Sequence, residues 1–168
     1  RPPPAQPINL LVNGLHVFIE DSAGVVYDVN IPVGAIGTSP CGAQDGWKVV
    51  GSAGKMTWKY HNKSGALPPA CTPGSAKGLS SAFVKDQPSS SKAALLMKVK
   101  AKGAVLLATP VLPPTRLQAT VSLAAESPPG TASPQANAGQ CAGALFTGNP
   151  VPSTGPKPVC KLKARGGL

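Results

Sequence analysis

The chain has 168 residues and is strongly basic, with 16 Lys and Arg against 6 Asp and Glu and a formal net charge of +10. Aromatic residues make up only 4% of it, beside 20 Pro and 19 Gly, so any hydrophobic core must consist mostly of aliphatic side chains and alanine. This length predicts one domain, and no apolar run reaches the roughly 18 residues that a membrane-spanning helix needs.

The N-terminal residues predict an extended arm. Residues 1–7 (RPPPAQP) are typical of an exposed polyproline-type segment, and such a beginning resembles a processed end from which a secretion signal was removed. Ile8, Leu10 and Val12 then recur with a period of two, which predicts a short strand. We therefore interpret residues 1–12 as an arm and residues 13–168 as the folded domain. The strand of the arm belongs either to its own sheet or to the sheet edge of a neighbouring copy.

Short alternating segments predict the strands of an all-β fold. Residues 15–20 and 25–31 flank a turn and predict a hairpin. Within 55–61, Met56, Trp58 and Tyr60 share one face, which is typical of a core strand. Further strands are predicted at 47–50, 79–85, 93–100, 104–108, 117–123, 141–146 and 159–163. Short strands separated by Pro/Gly-rich loops are typical of a β-sandwich or a β-barrel, and we expect a single sandwich-like domain.

Four widely spaced cysteines predict disulfide bonds. Cys41, Cys71, Cys141 and Cys160 allow three connectivities. We favour Cys41–Cys71 and Cys141–Cys160, because each bond would close a Pro/Gly-rich loop and stabilise the fold by about 3–4 kcal/mol. Disulfides indicate an oxidising compartment, so we expect a secreted or cell-surface protein.

A second sequence feature bears on secretion. Asn62-Lys63-Ser64 matches the acceptor sequence for N-glycosylation, although this triplet is common by chance and means little in a bacterial protein. The sequence leaves open whether Asn62 is glycosylated.

No catalytic set with recognisable spacing is present, and we predict that the protein is not an enzyme. Glu20 and Asp21 are adjacent at the end of a strand and point to opposite faces, which does not suit a carboxylate pair, although Asp28 or Asp45 could pair with one of them in space. His16 and His61 belong to no nucleophile motif. No Cys or His pair has the spacing of a metal site, so neither a metal nor a cofactor is predicted.

Two basic segments are the main positive indication of binding. In the first strand-like segment, three ammonium groups alternate on one face about 6–7 Å apart, and a second segment near the C-terminus repeats the pattern. The six residues are Lys98, Lys100, Lys102, Lys161, Lys163 and Arg165. If the two strands are close, these cations form a ladder that could hold an acidic polysaccharide, a lipopolysaccharide or nucleic acid. The alternative is a solvated face, or lysines that protect edge strands from aggregation.

The charge is unevenly distributed along the chain. Residues 1–47 carry one basic and four acidic side chains, whereas residues 48–168 carry 15 basic and two acidic ones. The basic part favours anionic partners, and the two parts together could attract copies of the same chain.

The order of several segments resembles a loosely defined β-domain of predicted secreted proteins from Gram-negative bacteria. The resemblance covers roughly residues 46–164 and implies a secreted β-fold without a known activity. It is carried by the run WKYHNKSG from Trp58 to Gly65, Cys71, Val84-Lys85-Asp86, and the segments LLMKVKAKG, LQATVSLAA, GQCAGALF and CKLKA.

These observations lead to one prediction of function and one alternative. The prediction is a secreted structural or assembly protein, a subunit of an extracellular filament or surface layer. In it, Ile8, Leu10 and Val12 would fill apolar pockets of the next copy. The alternative is a module that uses the basic stripes to bind a polyanion. The expected partners are accordingly copies of the chain itself, or an anionic polysaccharide or nucleic acid.

Overall fold

Alternating apolar and polar residues form strands throughout the computed structural model of this chain. The structure describes residues 8–52, 55–86, 95–104, 106–107, 117–123, 141–146 and 159–166, and of residues 117, 141–146 and 159–166 it describes the backbone only. Within these ranges lie one helical turn and nine strands: α1 (Leu10–Asn13), β1 (Leu15–Asp21), β2 (Gly24–Ile31), β3 (Gly46–Val50), β4 (Thr57–His61), β5 (Leu79–Asp86), β6 (Leu95–Lys102), β7 (Leu117–Ser122), β8 (Cys141–Phe146) and β9 (Val159–Gly166).

The strands form two antiparallel sheets. The four-stranded sheet has the order β2-β1-β7-β8, and the five-stranded sheet has the order β3-β4-β5-β6-β9. The predicted β1–β2 hairpin is confirmed, and its turn is held by Asp21 Oδ1, which accepts a 2.8 Å hydrogen bond from the Ala23 N–H. Strands β3 to β6 run as a meander, after which the chain enters the other sheet for β7 and β8 and returns as β9 beside β6.

Both sheets contribute side chains to one hydrophobic cluster. Val17, Tyr27 and Val29 come from the four-stranded sheet, and Trp58 and Tyr60 come from the five-stranded sheet. The predicted core role of the aromatic face of β4 is therefore confirmed, as is the all-β class. The sandwich arrangement of the two sheets stays a prediction.

The strand predicted over residues 8–12 is wrong. Residues 10–13 form a single helical turn, capped by Asn9, whose side-chain oxygen accepts a 3.2 Å hydrogen bond from the Leu11 N–H. Leu10 is fully buried in the cluster, and Ile8 and Leu11 pack against it. The turn forms because it brings Leu10 into the core directly before β1, a tertiary gain that outweighs the alternating pattern. The extended conformation predicted for residues 1–7 lies outside the described residues.

A second predicted strand, 104–108, also fails in its described part. Gly103, at a φ of 60°, turns the chain after β6, and Ala104, Leu106 and Leu107 lie outside any strand. The Leu107 N–H instead donates a 2.9 Å hydrogen bond to the carbonyl of Val26, a residue of the edge strand β2. Residues 105 and 108 lie outside the described residues.

The Cys41–Cys71 bond is confirmed, with a Cα–Cα distance of 5.0 Å across 30 sequence positions. It joins the loop before β3 to the loop after β4. The other two cysteines lie in β8, opposite Ser122, and in β9, opposite Ala101. Because the side chains of Cys141 and Cys160 are outside the described residues, their bond stays a prediction.

Candidate anion-binding face

The five-stranded sheet has one apolar and one basic face because its strands alternate. Trp58 and Tyr60 of β4 and Met97 and Val99 of β6 are buried in the core. The residues between them point the other way, as successive side chains of a strand must. The outward positions with described side chains include six lysines, five of them exposed and Lys85 half-buried: Lys48, Lys59, Lys85, Lys98, Lys100 and Lys102.

The backbone register brings the two predicted stripes together. Strands β6 and β9 are neighbours, with Lys98 opposite Lys163 and Lys100 opposite Lys161. Arg165 lies opposite Leu96, one position further along the same face. Directly opposite residues of an antiparallel pair share a face, so the ladder expected from the sequence exists at the level of strand register.

The register also extends this face across β3, β4 and β5. Lys48 lies opposite Lys59, and Lys59 lies opposite Phe83. Phe83 in turn lies opposite Lys98, which pairs with Lys163. One row of residues thus crosses all five strands, over about 19 Å at the usual spacing of strands. We define the cationic face as the six outward lysines named above together with the register positions of Lys161, Lys163 and Arg165.

The missed lysines had a signal in the sequence. Thr57, Lys59 and His61 alternate with the core residues of β4, which assigns them to its outer face. The sequence does not reveal that β4 lies two strands from β6 in the same sheet. The order of strands and the register between them depend on the tertiary fold.

Negative charge is missing from the described strand positions of this face. The only acid in the five strands is Asp86, at the end of β5 and opposite Leu95. By alternation it belongs to the apolar face of the sheet and not to the cationic face. None of the six lysines with described side chains lies within 4 Å of a described carboxylate. Instead three cross-strand pairs are both basic: Lys48 with Lys59, Lys98 with Lys163 and Lys100 with Lys161. Like charges directly opposite one another destabilise a sheet, so these pairs carry a cost that no described carboxylate offsets.

One aromatic ring lies among these cations. Phe83 is half-buried, and Lys98 Nζ lies 5.8 Å from the centre of its ring, within the range of a cation–π contact. Lys59 is its direct neighbour on the opposite side. Phe83 is the only Phe, Tyr or Trp at the described register positions of the face.

The two histidines lie on different sheets. His16 is buried in β1 and its Nε2 is 2.8 Å from Oδ1 of Asp28, whereas His61 is half-buried at the end of β4. Among the described residues no group of three His, Cys, Asp or Glu side chains is arranged to hold a metal ion. No helix in the described part of the chain is long and apolar enough to cross a bilayer.

Next to the cationic face, a buried carboxylate fixes the loop after β4. Asp45 Oδ1 accepts hydrogen bonds from the Lys63 N–H at 2.6 Å and the Ser64 N–H at 3.2 Å, and its Oδ2 accepts one from Ser64 Oγ. Burial alone would raise the pKa of Asp45, but these bonds outweigh it and hold the pKa below its ordinary value. The loop that bears Cys71 is thus tied to the segment before β3 by both Asp45 and the disulfide.

The comparisons with known proteins give no relative. No protein-family model matches the chain, and neither a curated protein nor a solved structure matches it significantly. The resemblance to secreted bacterial β-domains therefore stays a prediction. The cationic face is the feature from which a function can be inferred.

Proposed function

We propose that this chain is a non-catalytic module that binds a polyanion through the cationic face and that it works outside the reducing cytosol. The observation that carries the proposal is the set of basic cross-strand pairs on a face without acidic strand residues. A ligand with closely spaced negative charges would remove the mutual repulsion of these lysines when it binds.

The protection of sheet edges does not explain this arrangement. The edge strands of the five-stranded sheet are β3 and β9. Lysines on them could discourage pairing with another chain. Lys59, Lys85 and Lys98, however, lie on interior strands that already have neighbours on both sides. Edge protection therefore does not account for them, and anion binding supplies a role.

The proposed location is supported by the Cys41–Cys71 bond, because structural disulfides persist mainly in oxidising compartments.

Assembly through the N-terminal arm is the weaker proposal. Leu10 is fully buried in its own domain, so it is not available to fill a pocket in a neighbouring copy. Of the three residues assigned to that strand, Val12 alone is largely exposed.

Heparin, a dense sulfated polysaccharide, is a suitable first probe. We expect the wild-type protein to be retained on immobilised heparin at low salt. Its retention should fall as the salt concentration rises, because salt screens the charge of the lysines. Lys98→Gln/Lys100→Gln should elute at clearly lower salt, because both charges leave the centre of the face. The matched control is Lys55→Gln/Lys63→Gln, which removes two exposed charges outside the strands.

Three results would contradict the proposal: no retention of the wild type, equal effects of the two variants, or a larger effect of the control. Light scattering of the same samples measures oligomeric state. A wild type that forms filaments but is not retained would favour assembly over anion binding.

A further inference from the structure

The cationic face contains a more specific feature than its charge. Phe83 lies in the row that crosses the sheet, with Lys59 directly opposite on β4 and Lys98 directly opposite on β6. All three side chains belong to interior strands, which hold their positions more rigidly than loops do. A flat apolar ring thereby lies at a strand position flanked by two lysines, of which Lys98 has its Nζ 5.8 Å from the ring centre. We call these three residues the Phe83 subsite.

We propose that the Phe83 subsite binds an anionic sugar ring, so that the polyanion is an acidic polysaccharide; this inference rests on the proposed function. A pyranose ring has a face of C–H groups that can pack on the phenyl ring. Its carboxylate or sulfate lies at the ring edge, where Lys59 or Lys98 can reach it. The subsite therefore offers both the apolar and the charged contact that one acidic sugar requires.

Single-stranded nucleic acid fits this geometry less well. Platforms that stack bases usually combine a basic surface with two or three aromatic rings, whereas the described face has Phe83 alone. Lys98 Nζ is already 5.8 Å from the centre of that ring, and Phe83 is half-buried. Any ligand that packs on this ring must share it with Lys98. An acidic sugar can keep Lys98 as the partner of its own carboxylate or sulfate.

A rigid anionic plane, such as a membrane surface, is also disfavoured. Adjacent strands of a sheet are rotated by about 20–25°, so β3 and β9 differ in direction by roughly 80–100° across the sheet. A plane can therefore contact only part of the cationic face. A linear polymer can follow the row from Lys48 through the subsite to Lys98 and the position of Lys163.

The test separates the contribution of the ring from that of charge. Phe83→Ala and Phe83→Leu leave the charge unchanged, and the leucine variant keeps an apolar side chain if the alanine variant does not fold. Binding of heparin, inorganic polyphosphate and single-stranded oligo-dT is measured by titration calorimetry. We expect both variants to bind heparin about five- to tenfold more weakly, because the flat ring is lost, and to bind polyphosphate as the wild type does.

Each other outcome overturns the inference in a recognisable way. Unchanged heparin binding, or an equal loss for heparin and polyphosphate, would mean that Phe83 contacts no sugar. A larger loss for oligo-dT would mean that the ring stacks a base. In these cases Lys98→Gln/Lys100→Gln still weakens binding, so the proposed function survives. If the wild type binds none of the three probes, the proposed function fails as well.

Discussion

Asp45 is a buried carboxylate whose charge is held by hydrogen bonds from the loop after β4. Its pKa is lower in the folded protein than in the unfolded chain, where it is near 3.8. The carboxylate therefore contributes stability above about pH 4, and this contribution is lost as the pH falls through the folded pKa. Since Cys71 lies in the same loop, we expect the loss to loosen the segment that the disulfide also restrains.

Replacement of this carboxylate tests the point. We expect Asp45→Asn to lower the free energy of unfolding at pH 7 by about 1–3 kcal/mol, because an amide cannot accept all of the bonds. The variant should also lose less stability than the wild type between pH 5 and pH 2. Urea unfolding at several pH values measures both effects, with Asp86→Asn as the control. Parallel pH curves for wild type and Asp45→Asn would contradict this account.

Tyr60 is expected to limit stability in alkali. Burial, with a smaller contribution from the charge of Asp45, outweighs a hydrogen bond with Asn62 and raises the pKa of Tyr60 to about 12 from an ordinary value of 10.0. The neutral phenol therefore contributes stability that is complete below pH 10 and is lost as the pH rises toward 12. Tyr60→Phe should flatten the fall in stability over this interval. Chemical denaturation of both proteins at pH 9 to 12 measures it, and identical slopes would show that Tyr60 is not responsible.

Asn62 has a structural role that its sequence motif does not reveal. Its side-chain amide donates to the Ala66 carbonyl at 2.8 Å and accepts from the Gly65 N–H at 2.7 Å, and the residue is buried. A glycan on this nitrogen would replace one of its two hydrogens and would have to fit where the residue is buried and Nδ2 already donates to Ala66. We expect protein secreted from a eukaryotic host to carry no sugar at Asn62. Intact mass with and without enzymatic deglycosylation tests this, and a mass loss that maps to Asn62 would refute it.

The sequence predicts a strand well where one face of the strand packs in the core and the other faces solvent. The described strands β1 to β6 lie within two residues of their predicted bounds, because apolar residues alternate with polar ones in each. The helical turn α1 could not be predicted, since only the burial of Leu10 stabilises so short a helix. The same limit applies to the row through Phe83: alternation assigns its residues to faces, but only the fold sets the register between strands.

The Cys41–Cys71 bond should be a main contributor to stability in the loop-rich end of the molecule. It closes a loop across 30 positions, for which the chain-entropy estimate is about 3–4 kcal/mol. We therefore expect Cys41→Ser/Cys71→Ser to unfold at markedly lower urea concentration than the oxidised wild type. The strands of the cationic face do not contain Cys41 or Cys71, so if this face binds polyanions the variant should still bind heparin below its unfolding midpoint. Equal urea midpoints would contradict the prediction.

At the scale of the whole molecule, charge is divided between the two sheets. Glu20, Asp21 and Asp28 lie on β1 and β2 of the four-stranded sheet, whereas the cationic face belongs to the five-stranded sheet. These acids lie in the other sheet, and Asp86 is the only acid on the described strands of the five-stranded sheet, so we expect the cationic face to keep a positive potential. An approaching polyanion should therefore be guided to one side of the molecule.

Lysine footprinting measures directly whether a polyanion binds to the cationic face. The protein is acetylated briefly with and without heparin, and the modification of each lysine is measured by peptide mass spectrometry. We predict that heparin protects Lys59, Lys98 and Lys100 strongly and leaves Lys55 and Lys63 nearly as reactive as in the free protein. Equal protection of all five lysines, or protection confined to Lys55 and Lys63, would contradict a binding site on the cationic face.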